Sequence, residues 1–371
     1  ARVHVPLAVA LAVVVVGLTG TVVAWAVEVL MQTPSYDWYT ADPAASEFEI
    51  ASAGDLRGLA ELVNGTADID EDGTPEDAVS FQGATIVQTR KIGLASQEFT
   101  PIGTPEHPFA GTYDGGYDIS EGAGMDIRTL QITQGGEYVG LFGYCSAEST
   151  LRNIYLSDAA GAGFNPANVT LSDASTDSVA NSYEEGDYHV MHHVGSIVGY
   201  TAGSIEGCES RAAVSVSSNR TATNDEPLVI AEVGGIAGSC LGSITKSAYH
   251  ADLEVAAPSL ASDTSDAVVA NIGGIVGTLG AYEDASRTVT AGSISGCHFG
   301  FADDSGDFGI GALQATIQVT TTGVGGLDRF GVEKEACSTC VGGIAGYSYG
   351  SITDCTNYGL VNANSVPVKA T

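Results

Sequence analysis

Positive charge is scarce in this sequence. Its 371 residues hold 13 Lys plus Arg against 45 Asp plus Glu, a formal net charge of −32. A polyanion of this kind repels nucleic-acid phosphates and anionic lipid headgroups, which argues against both as partners. The basic residues near the repeats described below, chiefly Arg152, Arg211, Lys246 and Arg287, are too few for the cationic groove of a polysaccharide lyase. Catalytic signatures are missing as well. There is no H-E-x-x-H and no P-loop pattern, so zinc peptidase and nucleotide hydrolase chemistry have no support. Carboxylates abound, and a hydrolase built on two of them stays open as an alternative. Apolar residues at three- and four-residue spacing are absent from the repeats, which excludes stacked helical hairpins.

What the chain has in quantity is glycine, 48 residues, set in a phrase that recurs five times. The copies begin at Val139, Val194, Val233, Ile272 and Val341, and the last reads Val341-Gly-Gly-Ile-Ala-Gly346. A second phrase, Gly-Ser-Ile, follows the last four copies at Gly203, Gly242, Gly292 and Gly350. Gly195, Gly234 and Gly273 stand 39 residues apart, and Gly273 and Gly342 stand 69 apart. A fixed period of this size marks a stacked array, in which each copy buries its apolar face only against its neighbours. Ala213-Val-Ser-Val216 and Asp252-Leu-Glu-Val255 alternate with the period of a strand. The glycine phrase is also read as strand, with Val341, Gly343 and Ala345 on one face and Gly342, Ile344 and Gly346 on the other. Cys208, Ser247, Cys297 and Cys355 each lie five residues after the Gly of Gly-Ser-Ile, which suggests an inward ladder of small side chains. Two readings of that ladder compete: buried small apolar groups, or a disulfide between adjacent copies.

Gly140-Leu-Phe-Gly143 and the Gly-Gly-Ile-Val/Ala-Gly versions resemble the GLUG repeat of bacterial and archaeal surface proteins. Gly350-Ser-Ile-Thr-Asp-Cys-Thr-Asn-Tyr-Gly359 resembles the second half of that repeat. Phe81 to Ile86, Pro101 to Thr104 and Phe109 to Asp114 resemble the segment that precedes it. The resemblance covers about residues 47–361. It implies an all-β chain, a right-handed parallel β-helix (β-solenoid), on an adhesin-like protein outside the cytoplasm.

The remaining segments are assigned around that array. Residues 1–26 carry Arg2 and His4, an apolar stretch from Val5 to Val23, and Ala24-Trp25-Ala26. This is either a cleaved signal peptide or a retained apolar helix, in a membrane or at the core of a filament. Residues 27–46 read as a linker whose Trp38 and Tyr39 pack over the end of the array. Residues 47–135 hold a short capping helix and the first coils. Ser52 caps that helix, Leu56, Leu59, Ala60 and Val63 share its buried face, and Asn64-Gly65 stops it. Ile86, Ile102, Phe109, Ile127, Leu130 and Ile132 are assigned to the core of those coils. Residues 136–361 are the repeats, with insertions at 157–188 and 299–340 that serve as the candidate recognition surface. Residues 362–371 form a tail.

Few residues stand out as sites. Asp68, Asp70 and Asp72 precede Gly73 in the alternating pattern of a calcium loop, but the twelfth position, where a Glu is needed, is Val79. The competing reading is a solvated acidic loop. Cys337 and Cys340 form a lone C-x-x-C with no second ligand pair for zinc, and are read as disulfide candidates. His192 and His193 are adjacent, point to opposite faces of a strand, and are assigned to an exposed edge. The sequence thus points to a non-catalytic, exported, adhesin-like β-solenoid that presents loops to a glycan, a host molecule or a neighbouring protein. The alternatives are a pilin-like subunit that self-assembles through residues 1–26, and a polysaccharide-active enzyme. Calcium is the only cofactor implied.

Overall fold

The computed structural model describes residues 32–134, 136–159, 165–173, 178–179, 189–218, 221–222, 228–257, 268–283, 288–301, 315–324, 326–327, 333–334 and 337–368. Residues 1–26, with the apolar helix expected there, lie outside this set, as do most of the two insertions. Among the described residues no helix is long and apolar enough to cross a membrane. The fold is all-β, built mainly of parallel sheets.

Five parallel sheets carry the repeats, and the chain visits them in a fixed order. One pass runs His189–Gly195, Val198–Thr201, Ser204–Glu206, Glu209–Ser210 and Ala213–Ser218. The next runs Leu228–Gly234, Ala237–Cys240, Ser243–Thr245, Ala248–Tyr249 and Leu253–Ala257, and each strand pairs in parallel with its predecessor. The sheet built on Gly-Ser-Ile is the longest, with eight strands from Glu47–Ile50 to Ser351–Thr353. Its inward column reads Phe48, Ile86, Tyr113, Leu151, Ile205, Ile244, Ile294 and Ile352. The array therefore starts well before the first glycine phrase, where other residues fill the same positions.

The glycine phrase itself is not one strand. The chain bends at residues 196–197, 235–236, 274–275 and 343–344, and the phrase is a corner between two sheets. The alternation expected across Val341–Gly346 is corrected accordingly, since the bend resets which side faces inward. The corner isoleucines do stack. Ile197 N donates to Ile236 O (3.1 Å), Ile236 N to Ile275 O (2.9 Å) and Ile275 N to Ile344 O (2.9 Å). Glycine is required here by close approach: a Cβ on Gly235 would fall on the Tyr249 ring. Ile197, Ile236 and Ile275 are fully buried.

The core is one continuous cluster, and Ile86, Ile102, Phe109, Ile127, Leu130 and Ile132 all lie in it. At the N-terminal end it is covered. Helix α1 (Asp37–Thr40) brings Trp38 onto Phe81 (centroids 5.9 Å apart) and Phe48 (5.7 Å), and Tyr39 onto the same two rings, so both pack over this end as the sequence suggests. Helix α2 (Ala53–Asn64) follows. Ser52 Oγ accepts from Asp55 N, Gly65 adopts φ 67° to end the helix, and Leu56, Leu59, Leu62 and Val63 are buried. Burial falls toward the C-terminal end of the described residues. Ile352 is 42% exposed and Val361 39%, while their column mates Ile294 and Ile317 are 1% and 0%.

The insertions contribute regular strands. Asn168–Asp173, inside 157–188, pairs with Ala213–Ser218, and Thr316–Val324, inside 299–340, pairs with Leu253–Ala257. The 69-residue spacing between Gly273 and Gly342 thus holds one pass and no extra one. The added length includes two antiparallel hairpins, Ala281–Glu283 with Thr288–Thr290 and Gly326–Leu327 with Glu333–Lys334.

Candidate functional site

Stacking in register has a consequence for the outer surface. Side chains that face away from the core also line up, one per strand spacing of about 4.8 Å. A short period in sequence thereby becomes a ladder in space. Two such ladders bring chemistry-bearing groups together.

The first runs beside the glycine corner. Tyr138, His193, Glu232, Asn271 and Cys340 form one column, and Tyr144, Tyr200, Ser239, Thr278 and Tyr347 the adjoining one. Tyr138 stacks on His193 (4.9 Å, 5° between planes) and Tyr144 on Tyr200 (4.5 Å, 16°). His193 Nδ1 lies 2.9 Å from Glu232 Oε2, and Asn271 Nδ2 donates to Thr278 Oγ1 at 3.0 Å. A Cβ on Gly238 would collide with the Val194 nitrogen, so the two strands close on each other and bury this seam. His192 and His193 are both buried, which corrects their assignment to an exposed edge. Burial raises the Tyr138 and Tyr200 pKa values well above the ordinary phenol range. The phenols stay protonated, and Asn271 Oδ1 is buried in the seam with no hydrogen-bond partner among the described residues.

The second ladder lies on the sheet that contains Tyr155–Ser157, Glu209–Ser210, Ala248–Tyr249 and His298–Phe299. Glu209 is its centre and is nearly buried. One of its oxygens accepts from Tyr117 Oη (2.7 Å) and the other from Arg211 Nε (3.0 Å). Tyr117 stacks on Tyr155 (4.6 Å, 24°). The Arg211 guanidinium lies 5.7 Å from the Tyr155 ring centre and 5.3 Å from that of Phe301. His250 stacks on Phe301 (4.3 Å, 17°) and lies 5.1 Å from His298. Its Nδ1 is 2.9 Å from Gly300 O, which fixes that nitrogen as the donor of a neutral imidazole. Burial is the main reason that the His250 pKa drops to about 4 and that His298 is lowered too. Burial, then the Glu209 contact, raises Tyr117.

This band joins flat aromatic faces, one cation held in place and two neutral imidazoles. Phe301 is 37% exposed and the Arg211 side chain 34%. Such a surface stacks on apolar faces of a ligand and exchanges hydrogen bonds with its hydroxyls. Both Glu209 oxygens are engaged, one by Tyr117 and one by Arg211. Asp126, on the same sheet edge, is held by Arg128 at 2.7 Å. None of these residues was singled out as a site from sequence except Arg211, as one of the scarce cations. The signal was present: Tyr155, Glu209, Ala248 and His298 each stand four residues after the inward Leu151, Ile205, Ile244 and Ile294.

The acidic loop is gathered as its spacing suggests. Ligand atoms of Asp68, Asp70 and Asp72 lie within 4.8 Å of one another. The loop also uses these oxygens itself: Asp72 N donates to Asp68 Oδ1 (3.1 Å) and Asp70 Oδ1 (3.2 Å), and Gly73 N to Asp68 Oδ2 (3.0 Å). Glu76 turns back to accept from Ile69 N (2.8 Å), and Val79 packs against the core. The remaining ligands of a calcium loop are not supplied by these two positions.

Cys337 and Cys340 do not form the local disulfide expected of them. Both lie on one strand, Cys337–Gly342, and Cys340 is a free thiol. The backbones of residues three apart on a strand are about 10 Å apart, beyond the reach of a disulfide.

No protein-family model, no curated protein and no solved structure matches the chain.

Proposed function

We propose that the chain is a right-handed parallel β-helix that acts outside the cytoplasm as a non-catalytic binding scaffold. Its ligand on this reading is a neutral glycan, held along the Tyr155–Arg211–Phe301 band. The in-register parallel pairing over successive passes supports the β-helix, and parallel strands joined by crossovers take the right hand almost without exception. The GLUG-like phrases, the apolar stretch in residues 1–26 and the net charge of −32 support an exported surface protein. One observation carries the binding reading: Glu209, Tyr117 and Arg211 lock an arginine and three aromatic rings into a fixed outward face. That face borders both insertions, since Tyr155–Ser157 leads into the first and His298–Phe299 into the second. A rigid platform beside variable segments is the common arrangement of a recognition surface.

A glycan array with the purified chain, followed by calorimetry on the best neutral ligand, tests this reading. Loss of one stacking ring costs about 1.4 kcal/mol or roughly tenfold in affinity, so Phe301→Ala should weaken binding by that factor. Arg211→Ala should weaken it at least as much. Binding left intact by both variants overturns the assignment of the face, and hydrolysis of the ligand overturns the non-catalytic reading.

A further inference from the structure

Six of the seven cysteines have described side chains, and all six are free thiols. Register decides which of them can meet. Cys145 and Cys240 share a column but Thr201 stands between them. Cys208 and Cys297 share another, with Ser247 between: Cys208 N donates to Ser247 Oγ (3.1 Å) and Ser247 N to Cys297 Sγ (3.4 Å). Each of these pairs spans two strand spacings, about 9.6 Å, which is too far for a disulfide. Cys297 and Cys355 are different. Ser295 pairs with Thr353 and His298 with Thr356, which makes the two cysteines direct neighbours in adjacent passes.

The local geometry suits a bond. Thr356 N donates to Cys297 O at 3.0 Å, so the backbones are held one strand spacing apart. That separation, about 4.8 Å, lies inside the range disulfides adopt between Cα atoms. Cys297 Sγ donates to Ser295 O (3.4 Å) and Cys355 Sγ to Thr353 O (3.2 Å), so both thiols turn the same way. Cys355 is near enough to Cys297 to help raise its pKa, after burial.

We propose that Cys297 and Cys355 are an oxidation site, closing to a disulfide that ties the last pass to the one before it. The oxidant is a small disulfide, such as oxidised glutathione. Cys355 is the partly exposed thiol and reacts first. Its thiolate attacks one sulfur of the oxidant, which expels one thiol and leaves Cys355 as a mixed disulfide. Cys297, at 1% exposure and with its pKa pushed up to about 12 by burial, then loses its proton and attacks Cys355 Sγ. The second thiol leaves. Two protein thiols are oxidised and one disulfide is reduced to two thiols, so protons and electrons balance. The site has a structural purpose. Ile352 and Val361, in the pass that carries Cys355, are 42% and 39% exposed, so the bond would fasten a less covered pass to a buried one. This inference stands apart from the glycan reading and needs no ligand.

The test is peptide mapping of the whole chain after incubation with oxidised glutathione, alkylation and cleavage before aspartates. Asp354 and the pair Asp284 and Asp303 place Cys355 on residues 354–371 and Cys297 on residues 284–302, each with no other cysteine. The expected result is a single species made of these two peptides, two hydrogens lighter than their sum and split by reductant. Cys355→Ser should abolish it, while Cys340→Ser and Cys337→Ser leave it unchanged. Recovery of Cys297 as the alkylated thiol, or of Cys355 as a stable glutathione adduct, overturns the proposal. So does a link from Cys355 to any other cysteine.

Discussion

Ile244 and Ile352 occupy the same column of the same sheet, with only the Ile294 layer between them, yet their burial differs sharply: 0% and 42% exposed. Truncating each to alanine therefore separates burial from every other property of the position. Ile244→Ala removes three buried carbons, about 2.4 kcal/mol of transfer free energy, and leaves a cavity that neighbouring passes cannot fill. The total should fall near 3–4 kcal/mol. At Ile352 a little over half of the side chain is covered and solvent reaches the gap, so the transfer share falls to about 1.4 kcal/mol with no cavity cost. Equilibrium urea unfolding followed by circular dichroism measures both. The expected order is Ile244→Ala destabilised by about 1.6–2.6 kcal/mol more than Ile352→Ala, with similar slopes. Equal losses would mean that the last pass is covered as well as the inner ones, and would refute the reasoning.

Three further outcomes follow from local features. His250 titrates near 6.5 when unfolded and about 4 when folded, so between those values the unfolded chain binds more protons and stability falls as pH drops. The loss should approach on the order of 3 kcal/mol, with His298 adding in the same direction, and His250→Phe should flatten the slope between pH 6.5 and 4. An unchanged slope would contradict the burial of that imidazole. Gly235→Ala drives a methyl into the Tyr249 ring and should cost about 1–3 kcal/mol, whereas Gly93→Ala meets nothing within 4 Å and should be nearly neutral. The cross-link between Cys297 and Cys355 joins residues 58 apart and should stabilise the oxidised chain by up to about 4 kcal/mol, read as a higher urea midpoint than the reduced chain.

The repeat period was legible because each pass reuses the same inward column: Gly-Ser-Ile at 203, 242, 292 and 350 becomes one ladder in the structure. The capping helix was legible for a local reason, a serine that caps its start and a glycine that ends it. What escaped the sequence depended on register. The glycines of the Val-Gly-Gly-Ile phrase suit a corner, but composition alone does not say between which residues the chain turns. Asn168–Asp173 was hidden by its polar surroundings although Val169 and Leu171 alternate inward and are buried. His193 looked like an edge residue because Glu232, its partner, lies 39 positions away in sequence and one strand away in space. The Tyr155–Glu209–His298 ladder was invisible for the same reason. Each residue is ordinary in its own repeat and acquires a role only when the repeats are laid on one another.

Distance measurement along one column tests that stacking most directly. Spin labels at Ser351 and, in turn, Thr150, Thr112 and Thr85 lie four, five and six strand steps apart. In a chain with Cys337, Cys340 and Cys355 changed to serine, double electron–electron resonance should give about 19, 24 and 29 Å, rising by one strand spacing per step. Three distances that fail to rise in that order, or that rise by unequal steps, would contradict a parallel in-register stack.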